Sequence, residues 1–481
     1  MLQWQYNLKK MYKYQLLAAF AAVVSTVSST LVAPDLSMRT IPVGYFGGKG
    51  GKSGPRDAAS IAMLAKMRLV MLEKWEGPCW DDCVANATAK LPCSPSCNVE
   101  GDMLDVLKAV RAINPNVSTA LYLNTLLLFP FYGLAQQYID QDALLMDSRT
   151  NAPVELVNDD GMHGVYVPDF GTQQGRDLWL GTVKGWLASG LVDGIFADKW
   201  PDQAHGNKSN ASEMVVCNHV CGHVSTAKGI AWNQGKLWVR GNVSAMLAVE
   251  SRDASTFGGL LYGDGCDGCY RKSPRIDGNL VGPWVSRPSS SNSFSVPLPI
   301  SLALLFLFQI KNWQFTPSTK KGDSPGQNVW KMVGQTRAML HQYNYSYVYV
   351  GCGDHHPSDG KPFTHTCEDD LCTDCTPEGL AIYLLIAERG VILGSNGWST
   401  AFEQPLGEPL GPALNVTNSS GAVIALTRTF ASGTSVRYDL TCVNSPPKQE
   451  GYNCSSIVWG TWAQLAAWEQ EQGAATVVVV E

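Results

Sequence analysis

Apolar positions between Gln174 and Ser189 recur at helical spacing, with Leu178, Trp179, Val183, Trp186 and Leu187 on one face. A short glycine-containing turn follows. The next run, Val192 to Ala197, reads as a buried strand, and it ends on Asp198, Lys199 and Trp200. Helix, turn, apolar strand and charged tip form the repeating unit of a parallel α/β barrel, which carries its chemistry on the C-terminal tips of its strands. Asp198 is therefore the first candidate for a catalytic group.

Strand-like and helical runs alternate along most of the chain. Ile41 to Phe46 is a first strand, followed by a Gly/Lys loop and a helix through Lys66. Arg68 to Leu72 is a second, ending in Glu73-Lys74-Trp75-Glu76. A helix near Met103 to Ile113 precedes a third strand, Ser118 to Leu123, which ends at Asn124. Val192 to Ala197 is the fourth, and Gly259 to Tyr262 the fifth, ending at Asp264. Tyr345 to Val350 and Gly390 to Leu393 follow, with a helix between them near Glu378 to Glu388. Strands alternating with helices imply a parallel sheet. The expected fold class is α/β, a (β/α)8 TIM-like barrel over 40–400, with a sixth strand that the pattern does not reveal. Residues 287–313 break the pattern: a Ser-rich stretch leads into Val296 to Ile310, which has no amphipathic period and is short for a membrane span. This segment reads as an insertion foreign to the fold. From Ala422 onward short β-rich runs alternate with polar turns, so 401–481 is expected to be a linker and a small antiparallel β domain clipped by Cys442 and Cys454.

Composition narrows the class. The 481 residues suffice for a barrel of ~250 residues plus a smaller domain. With 45% hydrophobic residues the chain is not disordered, and a net charge of −6 offers no field for nucleic acid. Lys9, Lys10 and Lys13 precede the apolar run Leu16 to Val24, so residues 1–33 read as a signal peptide, or else as a retained signal anchor. Asn-X-Ser/Thr sites at Asn86, Asn116, Asn207, Asn210, Asn242, Asn344, Asn415, Asn418 and Asn453 agree with a secretory route, as do 14 cysteines that mostly sit in close pairs. The expected location is secreted or secretory-pathway lumen, with no stable membrane insertion once the signal is cleaved.

Two motifs suggest other chemistry and are outweighed. Gly47-Gly-Lys-Gly-Gly-Lys-Ser53 has the setting of a phosphate-binding loop, but Phe46 stands where that pattern needs glycine. A basic loop at a strand tip is the better reading, with Lys49 and Lys52 available to an anionic substrate. Cys217-Asn-His219-Val-Cys221-Gly-His223 offers thiol and imidazole ligands for zinc, yet alternating ligands on a strand or turn do not converge on one ion. A local disulfide is favoured there. Cys79, Cys83, Cys93 and Cys97, Cys266 and Cys269, and Cys367, Cys372 and Cys375 are read in the same way, with their pairing open. No metal and no cofactor are expected.

Carboxylates carry the strongest signal. Cleaving a glycosidic bond needs an acid and a base or nucleophile on either side of it. Strand tips offer Glu73, Glu76, Asp198 and Asp264, and Asp354 on a later strand. A strand-end Asp is often only a cap or a turn former, as the Gly-Asp-Gly setting of Asp264 allows. Asp198, Asp264 and Glu76 are the expected catalytic set. Trp75, Trp200 and Tyr262 are expected to stack on sugar rings, with Glu73, Lys199 and Asn124 as further substrate contacts, although such aromatics also fill barrel boundaries.

Three stretches carry a resemblance. Val192-Asp-Gly-Ile-Phe-Ala-Asp-Lys-Trp200 resembles the Asp-Gly-Ile-Phe-hydrophobic-Asp signature of hypothetical glycoside hydrolases with a barrel fold. Glu403-Gln-Pro-Leu-Gly-Glu-Pro-Leu-Gly411 is similar to their stretch between barrel and C-terminal β segment. Arg428 to Ser435, followed by Trp459, is similar to their β tail. The resemblance covers most of 41–459 outside 287–313. It implies a TIM barrel, a carbohydrate substrate and Asp198 as an active-site carboxylate, and it transfers no second catalytic residue. The resulting expectation is a secreted glycoside hydrolase in which Asp198 is nucleophile or base and Asp264 or Glu76 is the general acid, its pKa raised by nearby negative charge and aromatic walls. The rival expectation is a non-catalytic carbohydrate-binding barrel of the cell surface or wall.

Overall fold

The computed structural model describes residues 35–48, 56–74, 76, 98–157, 164–199, 204–207, 210–218, 220–250, 260–264, 306–310, 347–351, 377–395, 397–441 and 455–476. For the strands at 260–264, 306–310 and 347–351 it describes backbone and register. Parallel strands pair in a cycle: β1 (Val43–Gly47), β2 (Leu69–Leu72), β3 (Ser118–Asn124), β4 (Gly194–Asp198), β5 (Leu260–Asp264), β6 (Phe306–Ile310), β7 (Tyr347–Gly351) and β8 (Val391–Gly394), which returns to β1. β2, β3 and β4 are buried at every position, as strands covered on both faces must be.

Helices fill the described connections. α1 (Ala58–Leu64) follows β1, and α2 (Val99–Ile113) follows β2. α3 (Gly133–Asp140) and α4 (Gln173–Ala188) follow β3. α5 (Thr226–Glu250) follows β4, and α6 (Pro377–Ile386) precedes β8. Short polar side chains start several of them: Asp57, Asn98 and Thr172 each accept a backbone N–H from the first turn of α1, α2 and α4. The apolar stripe of α4 is buried as its spacing predicts, through Trp179, Val183, Trp186 and Leu187. α5 packs closely against the segment before α4. A Cβ on Gly235 would lie 1.7 Å from the carbonyl oxygen of Phe170, so only glycine permits this approach.

The inner face of the barrel follows from one contact and the register. Phe46 of β1 and Phe196 of β4 meet at 4.9 Å between ring centroids, although their strands are not neighbours. Both therefore point into the lumen. Phe46 is level with Met71, Met71 with Ala120, and Ala120 with Gly194. Side chains alternate along a strand, so Tyr122, Asn124, Phe196 and Asp198 share the inner face.

The sixth strand comes from an unexpected place. β6 pairs with β5 through Tyr262↔Leu307 and Asp264↔Gln309, and with β7 through Leu307↔Tyr347. It lies within 287–313, the stretch read as foreign to the barrel. Its sequence, Phe-Leu-Phe-Gln-Ile, is mostly apolar and carries no helical period. The rest of that stretch lies outside the described residues.

Two small sheets interrupt the barrel without an obvious periodic signal: Glu155–Leu156 with Val165–Tyr166, and His205–Asn207, Asn210–Asn218 and Val220–Ser225. In the second, Cys217 and Cys221 face each other across a hairpin and form a disulfide. Neither thiolate is then left for zinc. The other paired cysteines lie outside the described residues. After the barrel, β9 (Leu414–Thr417), β10 (Val423–Thr429), β11 (Ser435–Asp439) and β12 (Ser455–Val458) form the antiparallel sheet that the tail predicts. A terminal helix, α7 (Trp462–Thr476), was not expected there; Leu465 anchors it in the interior. Arg428 joins this unit to the barrel by donating to the carbonyl oxygens of Leu385 in α6 and of Gly411, both at 2.9 Å. No helix among the described residues is long and apolar enough to cross a membrane.

Candidate active site

Asp198 stands at the tip of β4, level with Asn124 of β3, and is 4% exposed. Its Oδ2 accepts from the Tyr122 hydroxyl at 2.5 Å and from Asn124 Nδ2 at 3.0 Å, and its Oδ1 accepts from the backbone N–H of Lys199 at 2.8 Å. Its carbonyl oxygen accepts from Thr125 N and Oγ1. Asn124 is itself fixed. Its Oδ1 accepts from Leu126 N and Leu127 N, its Nδ2 also donates to the Tyr122 hydroxyl at 2.7 Å, and Trp179 of α4 donates to its carbonyl oxygen. A buried carboxylate costs several kcal/mol unless hydrogen bonds replace its water, and these donors supply that replacement.

The chain turns sharply immediately after Asp198. Lys199 has φ +56, a left-handed conformation that costs a residue with a Cβ about 1 kcal/mol. Its carbonyl oxygen accepts from Nζ of Lys236 in α5 at 2.9 Å. Lys236 is 4% exposed and lies over the Trp232 ring at 4.8 Å. On the same helix Asn233 accepts from Ala204 N and donates to Ala204 O.

A second buried pair adjoins Tyr122. Glu73 and Lys74, just past the end of β2, are joined at 3.0 Å, and Lys74 Nζ lies 4.5 Å from the Tyr122 ring centroid and 5.3 Å from that of Phe129. Both residues are buried, so the ammonium supplies the counter-charge that an interior carboxylate needs. Burial, then the negative charge of Asp198 and of Glu73, and then its hydrogen bond to Asp198 push the Tyr122 phenol well above its ordinary range. Tyr122 therefore stays protonated and remains a donor.

Glu76 sits elsewhere. It accepts from Arg56 Nε at 3.0 Å and NH2 at 2.9 Å, and Arg56 also donates to the Tyr45 hydroxyl at 2.9 Å. Burial alone would lower the Arg56 pKa, but the charges of Tyr45 and Glu76 outweigh it and raise the pKa. Arg56 thus joins Glu76 to the Tyr45 hydroxyl. Among the described residues Glu76 is therefore bound to Arg56 and not to Asp198. Asp264 fares differently. The register Gly263↔Ala197 brings β5 alongside β4, so the next residues, Asp264 and Asp198, end adjacent strands, and Tyr262 is level with Phe196. Trp75 and Trp200 lie outside the described residues.

Asp193 is the other acid of the Asp-Gly-Ile-Phe run, at its opposite end. It accepts from Thr119 N at 2.8 Å, from Thr119 Oγ1 and from Arg111 of α2, tying β3, β4 and α2 together below the site. Tyr122, Lys74, Thr125, Asn233 and Lys236 join the site without being among the residues expected there. Period-two spacing from Asn124 was a signal for Tyr122, whereas Asn233 and Lys236 reach the site only through the fold.

No protein-family model matches this chain, and no curated protein matches it. Among solved structures, similar ones include a GH36 alpha-galactosidase from Geobacillus stearothermophilus (TM-score 0.40, 10% identity, 88% of this chain and 50% of that one). A xylosidase from Aspergillus niger is similar at TM-score 0.40 and 12% identity over 78% of this chain and 46% of that one. A Flavobacterium johnsoniae GH31 dextranase is similar at TM-score 0.37 and 12% identity over 78% and 39%. This chain spans about half the length of these proteins or less. Likeness at this level carries no functional conclusion.

Proposed function

We propose that the chain is a glycoside hydrolase on a complete (β/α)8 barrel, cleaving O-glycosidic bonds of a polysaccharide or glycan with paired carboxylates. The observation that carries this reading is the buried, fully oriented Asp198 at a barrel strand tip, held by Tyr122 and Asn124 from the neighbouring strand. Asp198 acts as nucleophile or base, its oxygens aimed by donors that do not need to reorganise during the reaction. Asp264, at the end of the adjacent strand, is the general acid that protonates the leaving oxygen. A separation of ~5–5.5 Å between the two carboxyl groups gives retention, and ~6.5–9.5 Å gives inversion with room for water. Trp75, Trp200 and Tyr262 stack on the sugar, and Glu73 and Lys199 contact its hydroxyls. The protein works in the secretory route.

A glycan panel offered to wild type and to Asp198→Asn tests the reading by measuring binding and released reducing ends separately. Turnover by wild type alone supports it. Binding by both with turnover by neither would make the protein a carbohydrate-binding barrel instead.

A further inference from the structure

We infer that Lys236 and Asn233 of α5 are positioning residues for Asp198, acting through their bonds to the backbone of Lys199 and of Ala204; the catalytic part of this inference rests on the glycosidase reading. Lys199 occupies a left-handed conformation that its side chain disfavours, and that conformation directs its N–H onto Asp198 Oδ1. Something must hold it there, and Lys236 Nζ bonds the carbonyl oxygen of the same residue from a buried position. Asn233, one helical turn earlier, bonds both backbone groups of Ala204. Two side chains on one face of α5 therefore bond the backbone at Lys199 and at Ala204. Gly235 lets the same helix lie directly on Phe170, since a Cβ there would strike the Phe170 carbonyl. Neither residue touches the reacting atoms. Their effect reaches the carboxylate through Lys199, whose amide donates to it.

The test uses the full chain with Lys236→Met, Lys236→Arg and Asn233→Ala, reading kcat and KM on the best glycan and hydrogen exchange at the Lys199 and Ala204 amides. Lys236→Met keeps a side chain of similar length but loses the donor and the charge over Trp232. It is expected to speed exchange at Lys199 about tenfold and to lower kcat on the order of 100-fold with little change in KM, with Lys236→Arg recovering much of both. Asn233→Ala is expected to speed exchange at Ala204 with a smaller loss of kcat, and it stands in if Lys236→Met does not fold. Wild-type exchange and kcat in Lys236→Met and Asn233→Ala would overturn the inference. If wild type cleaves no glycan, the glycosidase reading fails, and the exchange rates alone decide whether α5 holds the turn.

Discussion

Tyr122 donates its hydroxyl proton to Asp198 across the junction of β3 and β4, at 2.5 Å, while accepting from Asn124. One phenol thus orients both a carboxylate and an amide. Tyr122→Phe leaves Asp198 Oδ2 with the Asn124 donor and leaves one Asn124 N–H without its acceptor. Stability is expected to fall by about 1–3 kcal/mol, and kcat on the order of 10- to 100-fold. Urea denaturation and steady-state rates on the same preparation check both.

The buried phenols set an alkaline limit. Burial first, with acidic neighbours second, raises Tyr122, Tyr132 and Tyr138 well above their ordinary range. Their folded values exceed the unfolded value of about 10, so the stability they lend is complete below that pH and disappears as pH climbs toward the raised values. Absorbance titration at the phenolate band is expected to show these tyrosines ionising only together with unfolding. Ionisation while the chain remains folded would contradict their burial beside acids.

Arg56 and Glu76 are expected to behave as a structural pair. Arg56→Met leaves a buried carboxylate without its cation and is expected to cost about 3–5 kcal/mol. Arg56→Met combined with Glu76→Leu is expected to recover much of that loss, because no charge remains to be desolvated. Glu76→Gln is expected to retain most of the turnover. Thermal melts with parallel rate assays check the set, and a collapse of kcat in well-folded Glu76→Gln would return Glu76 to the catalytic group.

Asp193 separates folding from chemistry within one strand. Asp193→Ala removes the acceptor of Thr119 N, Thr119 Oγ1 and Arg111, and it is expected to destabilise by about 2–4 kcal/mol with kcat unchanged below the melting temperature. Circular dichroism melts and rates measured well below the transition check this.

Much of this architecture is legible from local pattern. The stripe of α4, the run of β4 and its acidic tip each follow from periodicity because each obeys one local rule. Where one residue meets partners distant in the chain, pattern gives less. Glu76 reads as a strand-tip acid until Arg56, 20 residues earlier, is found on it. Lys236 carries no local signal, and only the packing of α5 buries it against Lys199. β6 escapes the pattern because its run, Phe-Leu-Phe-Gln-Ile, does not alternate apolar with polar residues.

The most direct measurement is the rate of Asp198→Ala with and without added azide, on whichever glycan wild type cleaves. The expected result is a loss on the order of 10³-fold with binding retained, and partial recovery when azide occupies the space left by the carboxylate. A folded Asp198→Ala protein that cleaves at the wild-type rate would contradict an active-site role for Asp198.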